Sequence, residues 1–333
     1  MGEVIQDSER IPPHSKPSTP LWRVGIHTSI SPTLVHAPEK AHQLGCTAFQ
    51  IFSSSPRMWK QSSLLPQNVA AFKELRRKYD LYPLVIHVGY LVNLASQDEA
   101  LRMRSIEAFR AEISRAVAIS AEYLVLHPGN YKGATVEQGV NTLAVSIRKA
   151  AQETPFETVT LLIENSSGQS NALGASFTEL QHILTMLHGL PIGCCIDTAH
   201  CYASGMDLSS PEGLDDVVIS LQQTIGLDRV PVIHANDCRS PLGSHLDRHE
   251  HIGSGGIGLK GFQRIVNHPL LRDKTFILET PLEQDGDDLR NMQAILTLRS
   301  DTATTSGRSK SRKAITTKPA RASKLARKTG KGK

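Results

Sequence analysis

Residues 160–165 read TLLIEN: a short apolar and β-branched run that ends on a carboxylate and an amide. The run is too short for a helix and apolar at successive positions, as expected of a strand covered on both faces. Runs of the same kind lie on either side of it. Upstream are 24–28 (VGIHT), 48–52 (AFQIF), 84–87 (LVIH) and 123–127 (YLVLH). Downstream are 192–197 (IGCCID), 230–236 (VPVIHAN) and 275–280 (TFILET). Helical periodicity fills the gaps at 66–80, 99–120, 135–152, 177–188, 213–224, 260–266 and 287–298, and more weakly at 34–44. Eight strands, each followed by a helix, predict a (β/α)8 TIM barrel. A doubly wound open sheet is the alternative. No GxGxxG follows the first strand, which argues against its dinucleotide-binding form.

The ends of these runs carry the chemistry. His87, His127, Glu164, Asp197, His234 and Glu279 each stand at or near the C-terminal end of a predicted strand. In a TIM barrel those ends converge on one mouth, where active sites form. A single histidine in such a place is more often structural, and a single carboxylate serves equally well as a helix cap. Six together are different, because buried carboxylates repel one another unless cations lie between them. Three more residues extend the set. His200 follows Asp197 by three positions in DTAHCYASG. Asp247 and His249 stand two apart in a long loop after the seventh strand, a spacing that points both the same way if the segment is extended. His245 and His251 lie nearby, and either could be a plain loop histidine, so both are left out of the set. Five histidines and four carboxylates exceed what one tetrahedral ion needs, and with a bridging carboxylate they suit three. A nitrogen and oxygen donor set without thiolates suits zinc, with Mn2+ or Fe2+ as substitutes. Clustered divalent ions activate water and neutralise a phosphate under attack, so the expected reaction is hydrolysis of a phosphate ester. Neither a Walker A loop nor a GxSxG elbow is present.

Composition bounds the remaining choices. The 333 residues are 39% hydrophobic, enough for a large core, and no run has the length of a membrane span. The five cysteines form no CxxC pair, so neither a disulfide framework nor thiolate zinc is expected, and a reducing compartment is favoured. Residues 1–20 are polar and rich in Pro and Ser, without the apolar core of a signal peptide, and read as a flexible arm. The formal net charge of +5 conceals an asymmetry. Residues 307–333 hold 11 Lys or Arg and no acid, leaving 26 basic against 32 acidic residues elsewhere, a net of −6. The expected organisation is an arm (1–20), a barrel domain (21–300) and a disordered basic tail (301–333). The tail attracts phosphate without reading sequence, and would serve as a DNA tether or, in a eukaryotic host, a nuclear localisation signal.

In this order the motifs resemble the endonuclease IV family of apurinic/apyrimidinic (AP) DNA endonucleases. The likeness is carried by GIHTS (25–29), PRMW (56–59), HVGYLVNLAS (87–96), LHPGN (126–130), IENSSGQ (163–169), CIDTAHCYASG (195–205), HANDCRSPLGSHLDRHEHIGSGGIG (234–258) and LETP (278–281). The resemblance implies three Zn2+ per chain. His87 and His127 would hold one ion, with Glu164 bridging to a second that Asp197, His234 and Glu279 complete. His200, Asp247 and His249 would hold the third. It implies cleavage of double-stranded DNA 5′ to an abasic site, leaving a 3′-hydroxyl and a 5′-deoxyribose phosphate, with Glu164 also catalytic through orienting the nucleophile. Arg57, Tyr90 and Leu91 match the family's side chains that push into the duplex at the lesion. A monomer without membrane association is expected, cytoplasmic at the nucleoid or nuclear in a eukaryote. Three stretches depart from the family pattern: Ser254 within GSGG, Ser53–Ser55 before the Pro-Arg pair, and GIHTSISP without its usual glycines. The competing reading is a single-metal sugar isomerase or epimerase, which needs only Glu164, Asp197, His234 and Glu279 and leaves the other five residues without a purpose.

Overall fold

A computed structural model describes residues 22–59, 63–154 and 156–300. The expected arm and tail lie outside the described residues. Eight parallel strands form one sheet: β1 (Val24–Ile26), β2 (Phe49–Phe52), β3 (Leu84–His87), β4 (Tyr123–Leu126), β5 (Thr160–Glu164), β6 (Ile192–Asp197), β7 (Val232–His234) and β10 (Thr275–Leu278). Each pairs with its neighbour in sequence order, and β1 pairs with β10. The ring closes between β1 and β2 through the His27–Gln50 bridge and through Thr47 N–H and Ala48 N–H, which both donate to Val24 O. Gly25 sits at this seam. A Cβ there would lie 1.8 Å from Ala48 O, so only glycine lets β1 reach β2.

The helices between the strands are α1 (His36–Gln43), α2 (Pro66–Lys78), α3 (Glu99–Ala118), α4 (Val136–Glu153), α5 (Phe177–Met186), α7 (Pro211–Thr224), α8 (Gly258–Asn267) and α9 (Asp287–Leu298). Their starts follow local chemistry. Asp98, Ser176 and Ser210 cap α3, α5 and α7 with side-chain oxygens, and Thr135 forms a reciprocal capping box with Gln138 at α4. The main core lies between the outer sheet face and these helices. A second, smaller core fills the barrel itself: Ala48, Val85, Val125, Leu162, Cys195, Val232 and Ile277.

The TIM barrel is as the sequence predicts, and the differences are local. Strand seven spans three residues rather than seven, and α7 begins at Pro211, where Ser210 caps it. Two small features have no counterpart in the periodicity. A six-residue helix α6 (Thr198–Ala203) follows β6 directly, capped by Asp197, and is too short to show an amphipathic pattern. An antiparallel pair, β8 (Asp237–Cys238) and β9 (His249–Glu250), projects from the segment between β7 and α8.

Candidate metal centre

Successive side chains of a strand alternate between faces, so residues two apart share one. Each residue of the inner core is followed two positions later by a polar residue at the barrel mouth. Val85 is followed by His87, Val125 by His127, Leu162 by Glu164, Cys195 by Asp197, Val232 by His234, and Ile277 by Glu279. The six strand-end residues therefore form one layer directly above a buried apolar plug. The remaining strands contribute Gln50, two past Ala48, and His27, two past Gly25. Strand register sets Asp197 beside His234, and His234 beside Ile277. Above the layer opens a cleft of about 710 Å³.

Glu164 is the hub. It is fully buried, and its carboxylate lies 3.1 Å from His87 Nε2, 3.3 Å from His127 Nε2, 3.0 Å from His234 Nδ1 and 3.6 Å from His200 Nδ1. Among the described residues, three groups of ligand atoms are close enough to hold an ion each: His87, His127 and Glu164; Glu164, Asp197, His234 and Glu279; and Asp197, His200 and His249. Asp247 joins the last group at 3.3 Å from His200 and 3.4 Å from His249. All nine residues singled out in the sequence meet here. The sharing is wider than the resemblance implies, since Asp197 belongs to two groups as Glu164 does.

Three of the five histidines are fixed through Nδ1. His87 Nδ1, His200 Nδ1 and His249 Nδ1 face the backbone oxygens of Val88, Asn165 and Glu279 at 2.8, 2.8 and 3.1 Å. A ring that donates Nδ1–H to a carbonyl turns its Nε2 lone pair to the other side, the arrangement metal-binding histidines favour. Among the described residues this leaves His249 Nε2 buried without a hydrogen-bond partner, 3.6 Å from Asp197 Oδ2 and 3.4 Å from Asp247 Oδ1. A lone pair facing two carboxylates is repulsive, and a cation between them removes the repulsion. The residues present thus fit divalent ions.

The buried carboxylates and histidines shift one another's affinity for protons. Burial disfavours the Glu164 carboxylate, but His127, His234 and His87 outweigh it and hold the group well below its ordinary range. Glu279 is likewise lowered, burial being overcome by His234, His27 and His87. His200 is raised well above its usual value: burial opposes the charge, while Asp197, Asp247 and Glu164 favour it. His234 is also raised: burial opposes its charge, while the carboxylates of Glu279 and Glu164 favour it. His127, more open at the rim, is lowered chiefly by desolvation.

Residues 38–299 match the family described as "Xylose isomerase-like TIM barrel". The chain is 48% identical over 279 residues to the "Probable endonuclease 4" of Solibacter usitatus (strain Ellin6076), covering 83% of this chain and 96% of that protein. The chain belongs to the endonuclease IV family. The crystal structure of endonuclease IV from Thermus thermophilus agrees, with a TM-score of 0.73 at 36% identity over 83% of this chain and 98% of that one. A D-tagatose 3-epimerase-like protein is similar in fold alone, with a TM-score of 0.60 at 19% identity over 82% and 96% of the two chains.

Around the mouth of this endonuclease IV family member, Arg57 and Tyr90 are exposed on the loops after β2 and β3, and Leu91 is half-buried beside them. Tyr90 is 63% exposed, with its ring edge-on to Phe52 at 5.2 Å. The two loops pack closely, since a Cβ on Gly89 would come within 3.1 Å of Pro56 backbone. Ser53 and Ser54 fasten the Arg57 loop to α3. Ser53 Oγ donates to Glu112 at 2.5 Å and accepts from Arg115 Nε at 2.8 Å, and Ser54 Oγ donates to Glu112 at 3.3 Å. The GSGG stretch wraps a buried carboxylate. Asp237 accepts backbone N–H bonds from Cys238, Gly253, Gly255, Ile257 and Gly258 at 2.8–3.2 Å. Ser254 is exposed outside this cradle. His245 faces Ser167 O at 3.2 Å and His251 faces Asn291 at 3.0 Å, so neither joins the metal groups.

Sequence reasoning missed the amides that hold the ligands. Asn165 Oδ1 accepts from Asp197 N–H at 2.6 Å. Asn236 Nδ2 donates to Asp197 Oδ2 at 2.6 Å, and its Oδ1 accepts from Glu279 N–H at 2.7 Å. Both follow a strand-end position by one or two residues, a signal too weak to use without the fold.

Proposed function

We propose that the mouth holds three Zn2+ ions, with Mn2+ or Fe2+ as substitutes, and hydrolyses the phosphodiester 5′ to an abasic site in double-stranded DNA. As a member of its family the chain is an AP endonuclease, a metal-dependent phosphodiesterase. The observation that carries the finer reading is the overlap of three ligand groups, joined by the buried carboxylates of Glu164 and Asp197. When bound, the ions supply acidified water and charge neutralisation at phosphorus. Glu164, at the junction of two groups, is the residue to hold and orient the attacking water. His87 and His127 lie on one side of it and Asp197, His234 and Glu279 on the other. His200, Asp247 and His249 form the third holding group. Cleavage leaves a 3′-hydroxyl and a 5′-deoxyribose phosphate.

Arg57, Tyr90 and Leu91 stand at the rim as wedges that fill the gap in the duplex. An abasic site has already lost its stacking and is the least costly nucleotide to extrude. A single-ion sugar epimerase would use only the four-residue group and leave His87, His127, His200, Asp247 and His249 idle. Among the described residues no helix is long and apolar enough to cross a membrane. The reading places a monomer with the DNA, at the nucleoid or in a nucleus. The test is a duplex with one abasic analogue. The protein should nick it, lose activity to a strong chelator and recover with zinc, and an intact strand after incubation with zinc-loaded protein would refute the function.

A further inference from the structure

Eight strands deliver eight side chains to one layer, and six of these belong to the ion-holding groups. Gln50 in β2 is a seventh, and it is completely buried. A buried amide is costly unless its donors and acceptor are engaged. Those of Gln50 are. Its Oε1 lies 2.9 Å from His234 Nε2. Its Nε2 donates to Glu279 Oε1 at 2.5 Å and lies 3.1 Å from His27 Nδ1.

This arrangement admits one amide orientation. Turned over, Gln50 would set its oxygen against the Glu279 carboxylate, acceptor against acceptor. With its nitrogen on Glu279, its oxygen must receive a hydrogen from His234 Nε2. The Nδ1 lone pair of His234, in its neutral form, then points at Glu164 Oε1, 3.0 Å away, and Glu279 Oε2, 3.2 Å away. Gln50 also divides the oxygens of Glu279, fastening Oε1 and leaving Oε2 on the side of His234 Nδ1. His27 completes the chain: its Nδ1 accepts from the amide, and its ring packs on Phe52 with centroids 4.4 Å apart.

The geometry points to Gln50 as the positioning residue of the central ion, fixing which nitrogen of His234 and which oxygen of Glu279 face it. Gln50 does not itself touch the ion or the DNA. The inference rests on the reading that Glu164, Asp197, His234 and Glu279 hold an ion.

Gln50→Met keeps the length of the side chain and removes both polar atoms. Zinc titration against a chelating indicator, on wild type and variant, resolves the binding steps. One of three steps should weaken about 10- to 100-fold, the range for partners that orient metal ligands. At limiting zinc kcat should fall and recover with excess zinc, with KM for the abasic duplex unchanged. Three steps at wild-type affinity would overturn the proposal. So would equal weakening of all three, which marks a general structural role. If the variant does not fold, 15N-histidine spectra of zinc-loaded wild type decide: a hydrogen on Nε2 of His234 supports the assignment and one on Nδ1 overturns it. Fewer than three ions on the wild type would instead count against the three-ion reading.

Discussion

Replacing Asp237 by asparagine tests how the third group of ligands is held in place. Asp237 is wholly buried at the base of the β8–β9 pair, which carries His249 and, in the intervening loop, Asp247. Its Oδ1 accepts from Cys238 N and Ile257 N, and its Oδ2 from Gly253 N, Gly255 N and Gly258 N. Asparagine replaces one oxygen with an NH2 group, which cannot accept. The smaller loss comes from placing that group at Oδ1, where two backbone N–H donors then face another donor. Hydrogen bonds to a charged group contribute about 1.5–3 kcal/mol each, so the loss is about 3 kcal/mol at least, before the cost of the buried donors left unpaired. The loop has little room to adapt, because a Cβ at Gly255 would lie 2.4 Å from Cys238 O and one at Gly256 would lie 2.7 Å from the Tyr202 ring. Urea unfolding should show the midpoint shifted to lower denaturant with an unchanged slope. Zinc analysis of the folded variant should show loss from the group containing Asp197, His200, Asp247 and His249. A destabilisation under about 1 kcal/mol, with three ions retained, would refute the idea that this carboxylate holds the hairpin.

Further outcomes follow from the same geometry. Neighbouring carboxylates raise His200 and His234 well above their ordinary values, so zinc must compete with protons for these two rings. Zinc affinity should fall as pH drops from about 8 to about 6, with protons released on binding; calorimetry in buffers of different ionisation heat measures this, and an absence of proton release would contradict it. Tyr90→Ala removes a side chain outside the core, so stability should change by no more than about 0.5 kcal/mol. The preference for abasic over intact duplex should weaken by about 1 kcal/mol or more, at least about fivefold in Kd, and unchanged discrimination in a binding assay would exclude Tyr90 as a wedge. Truncation after Ser300 removes the 11 basic residues of the tail. Duplex binding should weaken at low salt and lose part of its salt dependence, with turnover at saturating substrate unchanged; a large fall in that turnover would give the tail a part in catalysis.

Sequence alone determined the barrel and the polar residues at its strand ends, because both are local patterns. An apolar run of four to six residues with a polar residue at its end is visible without the fold, and so is a helix of ten to twenty residues between two such runs. The same rule of two-residue alternation reaches Gln50 and His27, but an amide on a strand is not a metal ligand by type, and one histidine among 14 carries little weight. Their part became legible only when ring closure set β2 between β1 and β3 and aimed the Gln50 side chain across the barrel at His234 and Glu279. Asp237 is similar. Nothing in HANDC marks it as the anchor of glycines more than ten residues later, since five N–H groups converge on one carboxylate only in the folded loop. Tertiary structure also decided that Asp197 is shared between two groups, because α6 begins on it and returns His200 to the mouth. Strand periodicity acts over neighbouring residues. Ligand sharing, tautomers and loop anchoring depend on distances between residues tens to hundreds of positions apart.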